Sequence, residues 1–344
     1  MAFLPVRRAR RCLLVVAVAL LVAAAGTACT DDGGDELVIY SGRNQNLIRP
    51  LLDEFARDTG IDIRVRYGDT SELAPTILEE GDNTRADVFF SQDAGALAAL
   101  GDAGLLAPLP RPLLDRVDRR FRDPDGRWTG VTARARVIAY NTDRIAEADL
   151  PPSALALAEP AWRGRVGVAP TNASFVAYVS ALIEEIGEDR TRTFLEGLRA
   201  NGVKEYDNNV LILDAVASGE IDVGLTNHYY LYGEFKERPD APVANHFPGQ
   251  GPEGEGTFVN VAGVAVLAAS EQTEQARRFV DYLLSEKAQE YFRDETTEYP
   301  LAAGVAAIPE LPPIAGLRTI DVPLDRLGRD LSASLELIKD VGLT

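Results

Sequence analysis

Past position 29 the sequence contains no cysteine, because the two it has, Cys12 and Cys29, both lie in its first thirty residues. The rest of the 344-residue chain therefore has no disulfide, zinc–thiolate site or thiol nucleophile. Histidine is nearly as scarce. His228 and His246 cannot build a His-rich zinc or copper site between them; His228 reads as lying behind the site or facing solvent, and His246 as a loop residue. Positive charge is in deficit, with 35 Lys and Arg against 53 Asp and Glu and a net charge of −18. That balance excludes nucleic acid, whose backbone is held by clustered Lys and Arg, and it mildly favours cationic solutes. No G-x-S-x-G elbow, P-loop or H-E-x-x-H motif occurs. Carboxylate pairs such as Glu184-Glu185 read as solvated helix faces. The chain reads as a binding protein, not an enzyme.

Long apolar runs are also lacking, apart from Leu13–Ala25. That run is short for a membrane span, which needs about 20 apolar residues. It follows a basic start (Arg7, Arg8, Arg10, Arg11) and precedes the small residues Gly26, Thr27 and Ala28, so residues 1–28 read as an export signal. A cysteine directly after small residues resembles a bacterial lipoprotein cleavage site, although Gly26 stands where Leu is usual. The resemblance implies that Cys29 is lipidated and that residues 29–36 form a short tether on the outer face of the cytoplasmic membrane. Removing residues 1–28 takes away four arginines and no acid, leaving 31 basic against 53 acidic residues, or −22.

What remains alternates between two periods. Leu37–Tyr40 is strand-like; Leu47, Ile48, Leu51, Leu52 and Phe55 have helical spacing up to Gly60; and Ile61, Ile63, Val65 and Tyr67 alternate again. The same theme continues through a helix with Leu73 and Ile77, the strand Ala86–Phe90 and a helix from Asp93 to Leu100. After a Pro- and Arg-rich stretch, Val131–Tyr140 is strand-like. Then come strand Val166–Val168, helices Ser174–Ile186, Arg190–Asn201 and Val210–Ser218, and strand Ile221–Leu225. Strand Thr257–Ala268 and helices Glu271–Phe292 and Leu331–Val341 finish the chain. Such alternation predicts an α/β fold of two lobes, each a mixed, mainly parallel sheet flanked by helices. The expected division is 37–130 plus about 264–290 for the first lobe and about 131–257 plus about 291–344 for the second, with hinge strands near 131–137 and 257–264. Ligands on such sheets sit at the carboxyl ends of the strands, which puts Ser41–Asn46 and Ser91–Gly95 on the functional rim. Closure of two lobes around a ligand is a known use of such an architecture.

The segment Thr226-Asn227-His228-Tyr229-Tyr230-Leu231-Tyr232 follows directly on a predicted strand. Read alone it leaves two possibilities open: one ring packs in the core, or both phenols face the rim. The chain as a whole resembles bacterial ferric-iron-binding proteins of the ABC-importer type, of the type II periplasmic-binding-protein superfamily, over essentially all of 36–344. The resemblance is carried by Tyr40-Ser41-Gly42-Arg43, Ala86-Asp87-Val88-Phe89, Ala103–Pro108, Arg134–Ile138, Ala169-Pro170-Thr171, Ser218–Ile221, Asn227–Tyr230, Val259–Gly263 and Glu298–Leu301. It implies that Tyr229 and Tyr230 donate phenolates to Fe(III), with Tyr140 as a third ligand found in one branch of the family. Where relatives carry further ligands, this chain has Asn44, Gln45 and Gln92, with Asp93 beside Gln92. A synergistic anion such as carbonate is expected to fill the open positions, its charge met by the Arg43 fork. The stretch Thr171-Asn172-Ala173-Ser174 and the asparagines Asn209 and Asn227 match residues that hold such an anion in relatives; Ser174 also reads as a helix N-cap. Fe(III) prefers hard oxygen donors, and a bound cation removes a phenol proton despite its ordinary pKa of about 10.

The resemblance further implies a monomer that hands iron to a membrane permease and its ATPase. Two other readings keep the fold: a polyamine, thiamine or phosphonate binder, and a receptor module that has lost metal binding. An organic cation would stack on Trp faces, but Trp128 and Trp162 lie near polar turns and read as structural.

Overall fold

The structure, a computed structural model, describes residues 36–252, 254–327 and 331–344. The predicted signal, Cys29 and all of the tether but Glu36 lie outside the described residues. Leu37–Ser41 (β1) is flanked on both sides by parallel neighbours, as its run of apolar residues allows. Ile63–Tyr67 (β2) sets Ile63 opposite Leu37, and Val88–Ser91 (β3) sets Val88 opposite Ile39. Parallel pairing needs crossovers, supplied by Gln45–Thr59 (α1) and Thr70–Glu80 (α2). In α1 the expected apolar positions Ile48, Leu51, Leu52 and Phe55 are buried, and the helix stops at Gly60, whose φ of 69° few side chains tolerate. Ala94–Asp102 (α3) and the short Arg111–Leu114 (α4) then lead to the strand that organises the molecule.

Trp128–Asn141 (β4) is buried along its whole length of 14 residues, about 46 Å at the usual strand rise. It changes partner midway. From Trp128 to Ala135 it lies antiparallel to Val259–Val266 (β9), and from Arg136 to Tyr140 antiparallel to Val223–Asn227 (β7). Its far end also pairs with Val243–His246 (β8), and Thr132 and Ala133 pair with Tyr299–Pro300 (β10). Val166–Val168 (β5) joins β7 in parallel and Lys204–Glu205 (β6) joins β5, so the order is β2-β1-β3-β9-β4-β7-β5-β6. Mixed, mainly parallel sheets were the expectation, and the parallel groups β2-β1-β3 and β7-β5-β6 fit it. The long strand β4 links these groups, antiparallel to β9 in its first half and to β7 in its second.

Helices Ala173–Ile186 (α5), Glu188–Ala200 (α6) and Asn209–Ala217 (α7) fall within two residues of their expected bounds. Gly224 on β7 lets α7 close on the sheet: a Cβ there would lie 2.1 Å from Ile212 Cγ2. Tyr229–Glu234 (α8) follows β7 after a single residue. The single helix expected over Glu271–Phe292 is two, Thr273–Leu283 (α9) and Glu286–Tyr291 (α10), because the Ser285 hydroxyl accepts from the Ala288 N–H and starts a new helix. A π-helical turn, Phe292–Thr296, carries the chain into β10, and Leu331–Asp340 (α11) packs on α5. His246, expected in a loop, sits on β8 opposite Ile138. Trp128, expected near a turn, is fully buried at the start of β4.

Candidate functional site

The buried strand β7 ends at Asn227, and α8 begins two residues later with the tyrosine pair. The Tyr229 and Tyr230 rings lie 4.4 Å apart with their planes tilted by 33°. Both rings line a cleft of about 790 Å³. One wall of the cleft is the turn after β1 and the start of α1, residues 42–47, together with Tyr67, Asp69, Glu72 and Gln92; the other is the tyrosine segment with Glu295, Thr296 and Glu298. Burial pushes the Tyr229 hydroxyl well above the ordinary phenol range, and the neighbouring Tyr230 adds to this while Arg134 opposes it. A phenol so placed gives up its proton only to a strong local positive charge. Among the described residues no group of three or more His, Cys, Asp or Glu side chains is arranged to hold a metal.

Arg43 reaches the cleft floor, but its fork is already taken. Nη1 donates to Glu298 Oε1 at 3.0 Å and to Gln92 Oε1 at 2.8 Å, and Nη2 donates to Glu298 Oε2 at 2.5 Å. The side chains of both members are only 3% and 4% exposed. Thr132 and Thr296 hydroxyls donate to the same Glu298 oxygen at 3.2 and 3.0 Å. Burial alone would raise the Glu298 carboxyl; the charge and hydrogen bonds of Arg43, with help from Arg134, more than offset this and hold it below its ordinary value. Arg43, expected to face a bound anion, pairs here with a carboxylate 255 positions away in sequence, and its Nε has no partner.

The amides divide between scaffold and cleft. Asn44 Oδ1 caps α1 by accepting from the Asn46 N–H at 2.9 Å, and Gln45 lines the cleft beside it. Gln92 ties Arg43 to Arg134, since its side chain accepts from Arg43 and its carbonyl accepts from Arg134. Asp93 is engaged elsewhere: it caps α3 through Gly95 and accepts from Asn260 Nδ2 at 2.6 Å.

Tyr140 is not brought to the cleft. It pairs with Val223 on one side and Ala244 on the other, whereas Arg136, four residues earlier, is the one opposite Asn227. That offset is about 13 Å along the strand, so Tyr140 lies at the end of β7 remote from the tyrosine pair. It is 7% exposed and packs in the core.

The second polar cluster gathers around a residue that the sequence reading left without a role. Arg136, 2% exposed, donates from Nη1 to Ser174 Oγ at 2.9 Å and to Asn209 Oδ1 at 3.2 Å, with Asn227 Oδ1 at 3.5 Å, and from Nη2 to Leu225 O at 2.9 Å. Its Nε has no partner. Burial lowers its pKa to about 10, with Tyr178, Tyr230 and Tyr229 pulling the other way. Asn172, not Ser174, is the N-cap of α5; its Oδ1 accepts from the Ser174 N–H and hydroxyl at 3.1 and 2.6 Å. Thr171 and Ala173 are exposed beside it. The expected anion shell of Asn172, Ser174, Asn209 and Asn227 is therefore brought together, but around Arg136. The available signal was an arginine inside an apolar strand, since a buried guanidinium must be paired.

His228 is fully buried rather than facing solvent. Nδ1 accepts from the Ala135 N–H at 3.0 Å, so Nε2 carries the proton and donates to Thr297 O at 3.0 Å. Burial lowers its pKa to about 4, keeping the ring neutral.

The model of a family described as bacterial extracellular solute-binding protein matches residues 83–321. An Fe(3+)-binding periplasmic protein of Serratia marcescens is 34% identical over 334 residues, covering 96% of each chain. The crystal structure of iron-bound HitA from Pseudomonas aeruginosa superposes with a TM-score of 0.81 at 38% identity, covering 90% of this chain and 99% of that one. A Trichodesmium protein in complex with iron and citrate gives a TM-score of 0.80 at 30% identity, covering 90% and 100%.

Proposed function

The chain belongs to the bacterial extracellular solute-binding protein family, and on that footing we propose that it is the ferric-iron receptor of an ABC importer. Its mixed α/β fold is that of type II periplasmic binding proteins. In this reading Tyr229 and Tyr230 bind Fe(III) as phenolates between two lobes that close across β4 and β9. The first lobe is residues 37–130 with about 264–290, the second about 131–257 with about 291–344. The single observation that carries the reading is the adjacent phenol pair at 4.4 Å lining the cleft. The relatives named for ferric iron support the same cargo.

A synergistic anion such as carbonate completes the coordination. Its cradle is Arg136 with Ser174, Asn172, Asn209 and Asn227, where Nε of Arg136 still has a hydrogen to give. The opposite wall contributes amides and the carboxylates Asp69 and Glu72, with Arg43 paired to Glu298. Acid should release the metal, because protons compete for phenolate. A lipid on Cys29 would keep the receptor at the membrane, next to the permease and ATPase that accept the iron.

The test is a titration of purified protein with ferric nitrilotriacetate, with and without bicarbonate. One equivalent of iron should bind and produce a visible phenolate-to-iron band. Colourless protein with no bound iron by metal analysis would refute the proposal.

A further inference from the structure

We infer that His228 is the positioning residue of the tyrosine pair, a strut that ties the start of α8 to β4 and to the turn at Thr297. The inference rests on the reading of Tyr229 and Tyr230 as iron ligands, and it assigns a task to the residue just before them. All four polar groups of His228 are used, each to a different purpose. Its backbone N–H donates to Ala135 O at 3.0 Å, and its ring Nδ1 accepts from the Ala135 N–H at 3.0 Å. Its Nε2–H donates to Thr297 O, also at 3.0 Å, and its carbonyl accepts from Asn245 Nδ2 at 2.9 Å. The imidazole thereby extends the β4–β7 ladder by one side chain and then reaches past it to a separate segment.

That segment is unusual in its own right. Thr297 has a φ of 52°, the one positive value at a non-glycine among the described residues. A β-branched residue in the left-handed region is an outlier that persists only when its surroundings enforce it. Here the enforcement is mutual. The Thr297 carbonyl is held by His228, and the Thr297 hydroxyl, 2.8 Å from Thr296 O, also lies 3.3 Å from the Tyr229 carbonyl. The His228 ring also stands edge-on to the Tyr229 ring at 5.8 Å and 85°. The next residue, Glu298, grips Arg43 on the opposite wall. A chain of direct contacts therefore runs from β4 through His228 and Thr297 to Glu298 and Arg43, and Tyr229 hangs from its midpoint. Groups that orient a metal ligand are worth roughly 10- to 100-fold in affinity.

Two substitutions separate the halves of the strut. His228→Gln can still donate to Thr297, whereas His228→Asn is long enough only for the Ala135 N–H. The probes are metal-free crystal structures of each variant and iron affinity, measured with ferric nitrilotriacetate against a competing chelator. His228→Gln should keep the ring spacing of 4.4 Å and bind within a few-fold of wild type. His228→Asn should displace the Tyr229 ring, weaken binding roughly 10- to 100-fold and shift the visible band. Should the Asn variant fail to fold, Asn245→Ala frees the His228 carbonyl without opening a buried cavity, and it should move the same ring by less. Rings that stay in place in the folded broken-strut variant overturn the inference. Wild-type protein that takes up no iron, with rings that still move in the variant, would remove the cargo reading and leave the strut standing.

Discussion

The pairing of Arg43 with Glu298 can be tested as a thermodynamic cycle. The two side chains are 3% and 4% exposed and meet through two parallel hydrogen bonds at 3.0 and 2.5 Å. Glu298→Leu leaves a buried guanidinium with Gln92 as its only side-chain acceptor, and also strips the Thr132 and Thr296 hydroxyls of their acceptor. Removing one member of a buried pair costs roughly 3–5 kcal/mol. Arg43→Met should cost less, toward the lower end of that range, because the threonine hydroxyls and the nearby Arg134 still stabilise the carboxylate. The double variant should be less destabilised than the sum of the singles by about 2–3 kcal/mol, since neither charge is then left alone. Urea unfolding of the four proteins, followed by circular dichroism, measures all the terms. Additive effects, or an Arg43→Met variant as stable as wild type, would show that the guanidinium is free. The alternative role, a fork facing the anion, would then regain its case.

The remaining predictions concern pH, the anion and the excluded tyrosine. The unfolded chain protonates His228 near pH 6.5 and the native protein only near 4, so the unfolded state binds more protons in between. Stability from this group is therefore complete above about pH 6.5 and falls by about 3 kcal/mol as pH drops toward 4; His228→Gln should flatten that part of the unfolding profile, and an unchanged slope would contradict the assignment. Arg136→Lys keeps the charge but loses the planar fork, so it should abolish most of the gain in iron affinity from added bicarbonate, a loss of roughly tenfold or more. Equal bicarbonate dependence in variant and wild type would separate Arg136 from the anion. Tyr140→Phe should bind iron within about twofold of wild type, because the ring lies about 13 Å along the strand from the site; a large loss would return it to the ligand set.

How far the sequence could be read depended on the range of each interaction. Local signals survived: the apolar spacing in α1 and the adjacent phenols directly after β7 act within a few residues. Tyr140 was misplaced because alternation along β4 says which residues share a face but not which end of β7 they meet; that register is set by Arg136 opposite Asn227. The pairing of Arg43 was not legible because its carboxylate arrives from a turn 255 positions away. Arg136 stood in plain view, yet its importance follows only from β4 being buried throughout, with strands on both sides. For His228 two positions stayed open, behind the site or facing solvent, because nothing local reveals that Thr297 folds back over it.

Iron binding in this cleft depends on the tyrosine pair. The decisive measurement is iron stoichiometry and the visible spectrum of Tyr229→Phe and Tyr230→Phe beside wild type, after loading with ferric nitrilotriacetate and bicarbonate. The prediction is one coloured iron per wild-type chain, and in both variants a weakened or absent band in protein that unfolds at the wild-type urea midpoint. Full iron occupancy with an unaltered band in both variants would contradict phenolate binding in this cleft.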